Sequence, residues 1–414
     1  MYSNQFILKF LRLSKLLRIR WHYFGGHGRE LHLGVKPYKN GCQCPHCQRR
    51  GRILVIAAER CWRDLRICGI TVFFHYQPRV IDCPTHGRIQ EMIPWAASQS
   101  HVTYRFEYVM LVYAQIMKAK AAAALLGVPQ STFSNILHRT INRIRKGHHI
   151  RGLRKIGVDE ISYHKGKKYA TLVYDLETSR VVWVGKGKGS DAINRFFTKE
   201  LSAYQRKQIR WASCDMCRTY ITAIQEHCPN ATLVLDRFHI VKALNAAVDA
   251  VRKEEWNKLS RKEGQFLKGL RWLLFIHSAN RTKKQTRLLN QLKKSNYRIY
   301  RAWVLKDEFE QFWDYTYPGA ARTFAKAWMT TALKSRLEPL RDFVKMFKSH
   351  FENIITYIES HVTNAVAEGI NRNVKIVKNR ASGFYNLESF ADMIYLTVGD
   401  VDIPAQIHAR FRTL

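Results

Sequence analysis

Residues 155–176 read KIGVDEISYHKGKKYATLVYDL, and residues 180–186 follow as RVVWVGK. Lys155–Ile161, Lys168–Leu176 and Arg180–Lys186 are rich in β-branched and aromatic residues with short polar gaps between them, the pattern of consecutive strands. Glu177, Thr178 and Ser179 have the composition of a hairpin turn. Beyond them the period lengthens. Ser190 can cap a helix reaching about Ala203. Ile209–Cys214 (IRWASC) reads as a fourth strand, residues 218–227 as a helix and Ala231–Leu235 (ATLVL) as a fifth strand.

The resulting order, βββαβαβ, is that of an RNase H-like domain. In that fold one acid sits on the first strand, one just after the fourth, and one on a helix after the fifth. Asp159 and Asp215 occupy the first two places. For the third, residues 361–384 (HVTNAVAEGINRNVKIVKNRASGF) carry an apolar stripe of Val366, Ile370, Val374 and Val377 at helical spacing. Glu368 lies off that stripe with Asn364, Arg372 and Lys375, the sole acid between Ser360 and Tyr385. Alone it would read as a surface glutamate pairing with Arg372. With Asp159 and Asp215 it reads as a third ligand. A phosphodiester is anionic and repels its nucleophile. Two divalent ions about 3.5–4 Å apart can activate the nucleophile and stabilise the leaving oxygen. Mg²⁺, or Mn²⁺, prefers carboxylate oxygens. Glu160 should face the opposite side of its strand, and the Asp-x-x-His pattern of Asp236 and His239 (DRFH) is similar to one in hAT-type transposases, a resemblance that implies support for the site.

The whole chain fits a polyanion partner. Its 414 residues contain 69 Lys+Arg against 32 Asp+Glu, a formal charge of +37. Basic side chains gain affinity by releasing counterions from phosphates. No run of eighteen apolar residues exists, so no membrane partner is expected, and the cytoplasm is the expected location. Hydrophobic residues make up 46%, enough for real cores and too many for disorder.

Nine cysteines, six of them between Cys42 and Cys83, argue against a disulfide framework. CQCPHC at 42–47 and CPTH at 83–86 are two knuckles. Cys44, Cys47, Cys83 and His86 can close a tetrahedral zinc site, and Cys44 has the two-residue spacing to Cys47 that Cys42 lacks. Cys61, Cys68, Cys214 and Cys217 read as core thiols. Residues 98–150 are helical in pattern. Ala121–Leu126, then Gly127 and Pro129, then Ser131 as a cap give a helix-turn-helix outline. Gln130, Thr132, Asn135 and Arg139 would face DNA, followed by the basic run of Arg143, Arg145 and Lys146.

These readings divide the chain into a basic amphipathic helical arm (1–35), a zinc-binding β module (36–97), the helix-turn-helix region (98–150) and the first part of an RNase H-like domain (151–237). An all-α insertion (238–352), whose Trp256, Trp272, Trp303, Trp313 and Trp328 should mostly be core, precedes the Glu368-bearing helical part (353–400) and a tail (401–414). The fold class expected is multidomain α+β.

The segments from Gly157 to Lys188, from Ser213 to Asp249 and from Asn364 to Phe390, with the knuckles and the helix-turn-helix in their places, resemble bacterial insertion-sequence transposases of the ISL-three family. The resemblance covers nearly the whole chain. It implies a DDE transposase with Asp159, Asp215 and Glu368 as the triad. Such an enzyme binds terminal inverted repeats of double-stranded DNA, cleaves at the element ends and joins the 3′-OH ends to target DNA, as a homodimer. Lys378 and Arg380, like Arg372 and Lys375, are placed to meet phosphate. A nuclease without strand transfer and a catalytically silent regulator are the rival expectations. The family often has an aromatic residue where this chain has Cys217.

Overall fold

The structure is a computed structural model; it describes residues 4, 7–8, 17–37, 42–146, 150–164, 168–258, 271–276, 280–295, 297–360, 365–381, 383–399 and 401. The chain is mixed α and β. It divides into two units, residues 1–148 with 377–414, and residues 149–376. Among the described residues no helix is long and apolar enough to cross a membrane.

The first unit opens with seven strands: β1 (Leu17–Gly25), β2 (Glu30–Pro37), β3 (Arg52–Ile56), β4 (Arg60–Arg63), β5 (Thr71–Tyr76), β6 (Arg79–Cys83) and β7 (Gly87–Gln90). They form a four-stranded sheet, β1-β2-β5-β4, and a three-stranded one, β3-β6-β7. Strand alternation sorts the side chains of the larger sheet. Val72, Phe74 and Tyr76 enter a core with Leu33, Val35, Trp62 and Trp95, while Phe73 and His75 take the other face. In the smaller sheet β3 pairs only with β6, and all five of its side chains are exposed.

The helix expected within the 1–35 arm is not what the second half of that segment forms. Residues 17–25 are a strand paired in antiparallel register with β2. The β-branched and aromatic residues Ile19, Trp21, Tyr23 and Phe24, with a partner strand across the turn at Gly26–Gly28, override the helical spacing of Leu13 and Leu17. Residues 9–16 lie outside the described ones. A boundary at residue 35 therefore cuts through a sheet. Cys61 and Cys68, expected in the core, are exposed. Cys61 faces outward from β4, and Cys68 has a positive φ in the turn between Ile67 and Ile70.

Three helices follow: α1 (Tyr104–Ile116), α2 (Ala119–Leu126) and α3 (Gln130–Arg145). Gly127 ends α2 in the left-handed conformation at φ 62°, which favours glycine. The α3 cap position is Pro129 rather than Ser131, because the extended Pro129 backbone leads straight into the first turn and leaves Ser131 inside it. Arg63 donates to the Leu126 and Gly127 carbonyls at 2.7 and 2.8 Å, so a strand end closes a helix end.

The second unit holds β8 (Lys155–His164), β9 (Lys168–Asp175), β10 (Arg180–Lys186), β11 (Trp211–Cys214) and β12 (Thr232–Leu235). Their order is β10-β9-β8-β11-β12. The first three are antiparallel, and β11 and β12 run parallel to β8. The helix expected from Ser190 is broken. It comprises α4 (Ser190–Arg195), a π turn over Phe196–Glu200 and, after Ser202 as capping residue, α5 (Ala203–Gln208). The wider turn lets the consecutive Phe196 and Phe197 both be buried.

α6 (Arg218–His227) joins β11 to β12. Then come α7 (Arg237–Trp256), α8 (Lys283–Ser295), α9 (Tyr297–Glu310), α10 (Pro318–Lys334), α11 (Glu338–Ser349), α12 (Phe351–Ser360) and α13 (Ala365–Arg380). The segment read as an insertion is helical but not separate. Phe309, Trp328 and Phe347 belong to the same buried cluster as Ile156, Leu235 and Ile240. Trp303, Trp313 and Trp328 are buried, whereas Trp256 and Trp272 are exposed, which corrects the expectation for those two.

The unit boundary falls within α13. The last helix, α14 (Leu387–Val398), packs in the first unit against α1 and α3. His138 Nδ1 lies 2.8 Å from Asp392 Oδ2, and Gln115 donates to the Leu396 carbonyl at 2.7 Å. The stretch after residue 376 thus belongs with the helices of the first unit, not with the sheet that precedes Glu368.

Candidate active site and metal centre

Two neighbouring strands deliver the first two acids. β8 and β11 are parallel, with Ser213 opposite Gly157. Extending that register by two residues sets Asp215 beside Asp159. β11 and β12 pair Cys214 with Leu235, so one more step sets Asp236 beside Asp215. Each acid is held by local backbone. Asp159 Oδ1 accepts from the Glu160 N–H at 2.7 Å, Asp215 Oδ1 from Cys217 N–H at 3.0 Å, and Asp236 Oδ1 from Phe238 N–H at 2.7 Å. Asp236 Oδ2 also meets His239 Nδ1 at 3.1 Å.

The electrostatics show that these groups share one neighbourhood. Burial pushes the Asp159 carboxyl up, with Asp215 adding to the push and His239 opposing it. His239 is itself raised, first by its hydrogen bond to Asp236 and further by Asp159 and Asp215. Glu160 is raised by burial, with Asp215 and Asp159 contributing and Lys188 opposing. It turns to the other face of the sheet, where Tyr220 favours its charged form. Burial chiefly makes Asp159 and Glu160 hold their protons, and a cation would ease the acidic cluster around them. All its donors are oxygens, the set that suits a hard divalent cation.

The third acid approaches indirectly. Asn371, on α13, donates from Nδ2 to Asp159 Oδ2 at 2.5 Å and accepts from the buried Tyr174 hydroxyl at 2.5 Å. Glu368 stands three residues earlier, one turn along the same helix, and is exposed. Asp159, Asp215 and Glu368 do not gather as tightly as the cysteines described next. Asn371 and Tyr174 were missed by sequence reasoning. The Glu-x-x-Asn spacing, which places both side chains on one helical face, was the available signal for Asn371; nothing local marks Tyr174.

Among the described residues, Cys44, Cys47, Cys83 and His86 form the one group of potential ligands whose atoms all lie within 4.8 Å of one another. Cys47 and Cys83 sulfurs are 3.4 Å apart, and His86 Nδ1 is 3.6 Å from Cys44 Sγ and 3.8 Å from Cys83 Sγ. Bonds of about 2.3 Å to sulfur and about 2.0 Å to nitrogen in a tetrahedron put ligand atoms roughly 3.6–3.8 Å apart, so the set fits zinc. Gln48 and Gly87, at φ 60° and 63°, turn the chain back after each knuckle. Hydrogen bonding from the Thr85 backbone, then from His86, holds the Cys83 thiol down to about 6, towards the thiolate a metal needs. Cys42 stays out of the group: Arg79 donates to its sulfur at 2.8 Å.

A family model described as a transposase, that of the ISL-three group of DDE transposases, matches residues 156–394. The chain belongs to the ISL-three family of insertion-sequence transposases. It is similar to the transposase for insertion sequence element IS1001 of Bordetella parapertussis, with 28% identity over 372 residues, 88% of this chain and 90% of that protein. It is also similar to the transposase for insertion sequence element IS1557 of Mycobacterium tuberculosis, with 25% identity over 384 residues, 86% of this chain and 85% of that one.

The residues expected to meet DNA in this family member fall into two groups. Gln130, Thr132, Asn135, Lys146, Arg372 and Lys375 are exposed, and Lys378 is half-buried. The others have internal partners. Arg139 donates to the Gln99 carbonyl and Ser100, Arg143 to Glu107 at 2.6 Å, and Arg145 stacks 3.2 Å over Tyr395. Arg380 donates to the Gln115 and Ala114 carbonyls. Those four guanidiniums tie α1, α3 and the last helix together. Buried Glu107 and the open carbonyls at the end of α1 attract them more closely than a sequence reading allows.

Proposed function

We propose that this transposase acts as a DDE enzyme: it binds the terminal inverted repeats of its own element, cleaves at the element ends and joins the 3′-OH ends to target DNA. The second unit is then an RNase H-like catalytic domain, with Asp159, Asp215 and Glu368 as the ligands of a Mg²⁺ or Mn²⁺ pair. The observation that carries the reading is the register of β8 and β11, which aligns Asp159 with Asp215, together with the Asn371 bond that ties the Glu368 helix to Asp159.

Bound there, the divalent ions supply charge neutralisation and an activated nucleophile for an in-line displacement. The protein's own groups do the positioning. Asn371 fixes one Asp159 oxygen, leaving the carboxylate a single orientation. Asp236 orients His239, whose positive form offsets the acids before cations arrive. The zinc module carrying Cys44, Cys47, Cys83 and His86, and the exposed Gln130, Thr132, Asn135 and Lys146 of a helix-turn-helix, supply end recognition. Arg372, Lys375 and Lys378 steer phosphate towards Glu368. Two ends react together, so a homodimer is the working unit on DNA.

The test uses the full chain, Mg²⁺ and DNA carrying the element ends. Wild type is expected to cleave the ends and to join pre-cleaved ends to a target plasmid. Asp159→Asn, Asp215→Asn and Glu368→Gln are expected to bind the ends and do neither. Wild-type cleavage by any one of them removes that residue from the triad, and cleavage without joining replaces the transposition reading with a nuclease.

A further inference from the structure

The outer face of the β1-β2-β5-β4 sheet carries a second cluster of metal-binding side chains, apart from both sites above. His32 on β2 and His75 on β5 face each other, with His32 Nδ1 2.9 Å from His75 Nε2. Cys61 on β4 is paired directly opposite His75, and its sulfur lies 3.7 Å from His75 Nε2. Each imidazole has a carboxylate behind it. Glu30 Oε2 is 3.3 Å from His32 Nε2, and Glu59 Oε1 is 3.1 Å from His75 Nδ1.

The proton count makes this arrangement informative. An ionised carboxylate only accepts, so Glu30 and Glu59 each call for an N–H from the outer ring nitrogen. A neutral imidazole has one N–H. With both spent outward, two lone pairs point at each other across 2.9 Å and a cation between them relieves the repulsion; with one ring turned inward the contact is an N–H···N hydrogen bond. That cation is either a shared proton or a metal. A carboxylate behind a histidine, with the opposite nitrogen free, is the arrangement that orients metal-ligating histidines.

The surroundings hold the rings in place. His32 is stacked between Tyr23 and Phe73, with centroids 4.6 and 5.0 Å away and interplanar angles of 7° and 13°. Trp21 lies over Gly34, where an added Cβ would come within 2.2 Å of the indole, and its ring meets His75 at 5.4 Å. In a tetrahedral zinc site two nitrogens sit about 3.3 Å apart and a nitrogen and a sulfur about 3.6 Å apart. The observed 2.9 and 3.7 Å need adjustments of a few tenths, and the exposed Cys61 thiol must swing by more than an ångström towards His32 to close the set.

We propose that His32, His75 and Cys61 form a second transition-metal site, selective for a borderline divalent ion such as zinc, oriented by Glu30 and Glu59, with its fourth position open to water. The ion clamps three neighbouring strands, β2, β5 and β4, on the face opposite the Trp62 core.

The test is metal stoichiometry on the full chain, dialysed against zinc in excess Mg²⁺ so that hard-oxygen sites are saturated. Wild type is expected to retain two zinc ions per chain, and His75→Gln and His32→Gln one each. Cobalt substitution reads the ligands directly: the second equivalent should add a thiolate-to-cobalt band that disappears in Cys61→Ser. Thermal melts of each variant with the knuckle zinc in place show that it is folded. A wild-type chain that retains a single zinc points to a shared proton and overturns the proposal. So does a second equivalent that survives His75→Gln, or a cobalt band unchanged in Cys61→Ser.

Discussion

The knuckle module and the five-stranded sheet solve the same problem, placing ligand atoms in space, by opposite means. The module's core is Cys44, Ile81 and Cys83, and its edge strand β3 leaves Ile53, Leu54, Val55 and Ile56 exposed. Its candidate ligands are most of its interior, so a bound ion would supply folding energy. The sheet of the second unit rests on a buried cluster running from Leu153 to Ile358. Asp159 stands within β8 and Asp215 just past the end of β11, beside a core that is complete without cations. On the proposed reading, one site would be built by its metal and the other would await one.

The largest expected effect separates them by chelation. Structural zinc contributes an apparent 10–16 kcal/mol, roughly, in small zinc modules. Removing zinc, or making Cys83→Ser, should unfold residues 42–90 to protease while the second unit stays resistant. A module that remains protected after metal loss would break the contrast.

Asp159→Ala and Asp215→Ala should do the reverse. End cleavage should fall roughly a thousandfold or more, about 4 kcal/mol at 1.36 kcal/mol per decade, with no loss of melting temperature. A fall in melting temperature matching the fall in cleavage would mean that these carboxylates build the sheet rather than serve it.

Asn371→Ala sharpens the boundary between support and chemistry. It strands the Tyr174 hydroxyl and frees an Asp159 oxygen. The expected loss is about 10–100-fold in activity, read as a raised Mg²⁺ requirement that Asn371→Gln does not correct, since the longer side chain cannot keep both bonds. An unchanged Mg²⁺ dependence would make Asn371 a packing residue only.

The smallest effect is a pH slope. Burial raises the folded Asp159 pKa above the unfolded carboxylate's value of about 3.9. Between those values the folded chain holds more protons, so Mg²⁺-free stability falls as pH rises. The raised His239 acts in the same direction: its contribution is complete below the unfolded value of about 6.5 and is lost as pH rises through the folded one. Melting temperature of the Mg²⁺-free, zinc-loaded chain should therefore decline with increasing pH. Asp159→Asn should flatten the acidic part of that decline. A zinc-loaded module should contribute nothing to it.

Much of this was legible in the chain. Strand alternation in GVDEI and ATLVYDL, and β-rich runs ending at Cys214 and Leu235, placed the five strands to within three residues at each end, because a buried sheet leaves a hydrophobic period that its residues cannot hide. The knuckle spacing selected Cys44 over Cys42, since ligand reach is a local property. Leu17–Gly25 was misread because a short apolar run suits a helix or a strand equally until β2 arrives to pair with it.

The sequence by itself determined which residues could be ligands and which runs could be strands, because both follow from spacing within a few residues. Tertiary structure alone decided which arginines were already taken, that Tyr174 and Asn371 would hold Asp159, that the last helix would return to the first unit, and that His32 and His75 would meet. Those facts depend on closing loops of tens to hundreds of residues, and no local periodicity encodes which distant side chain will stand at the other end.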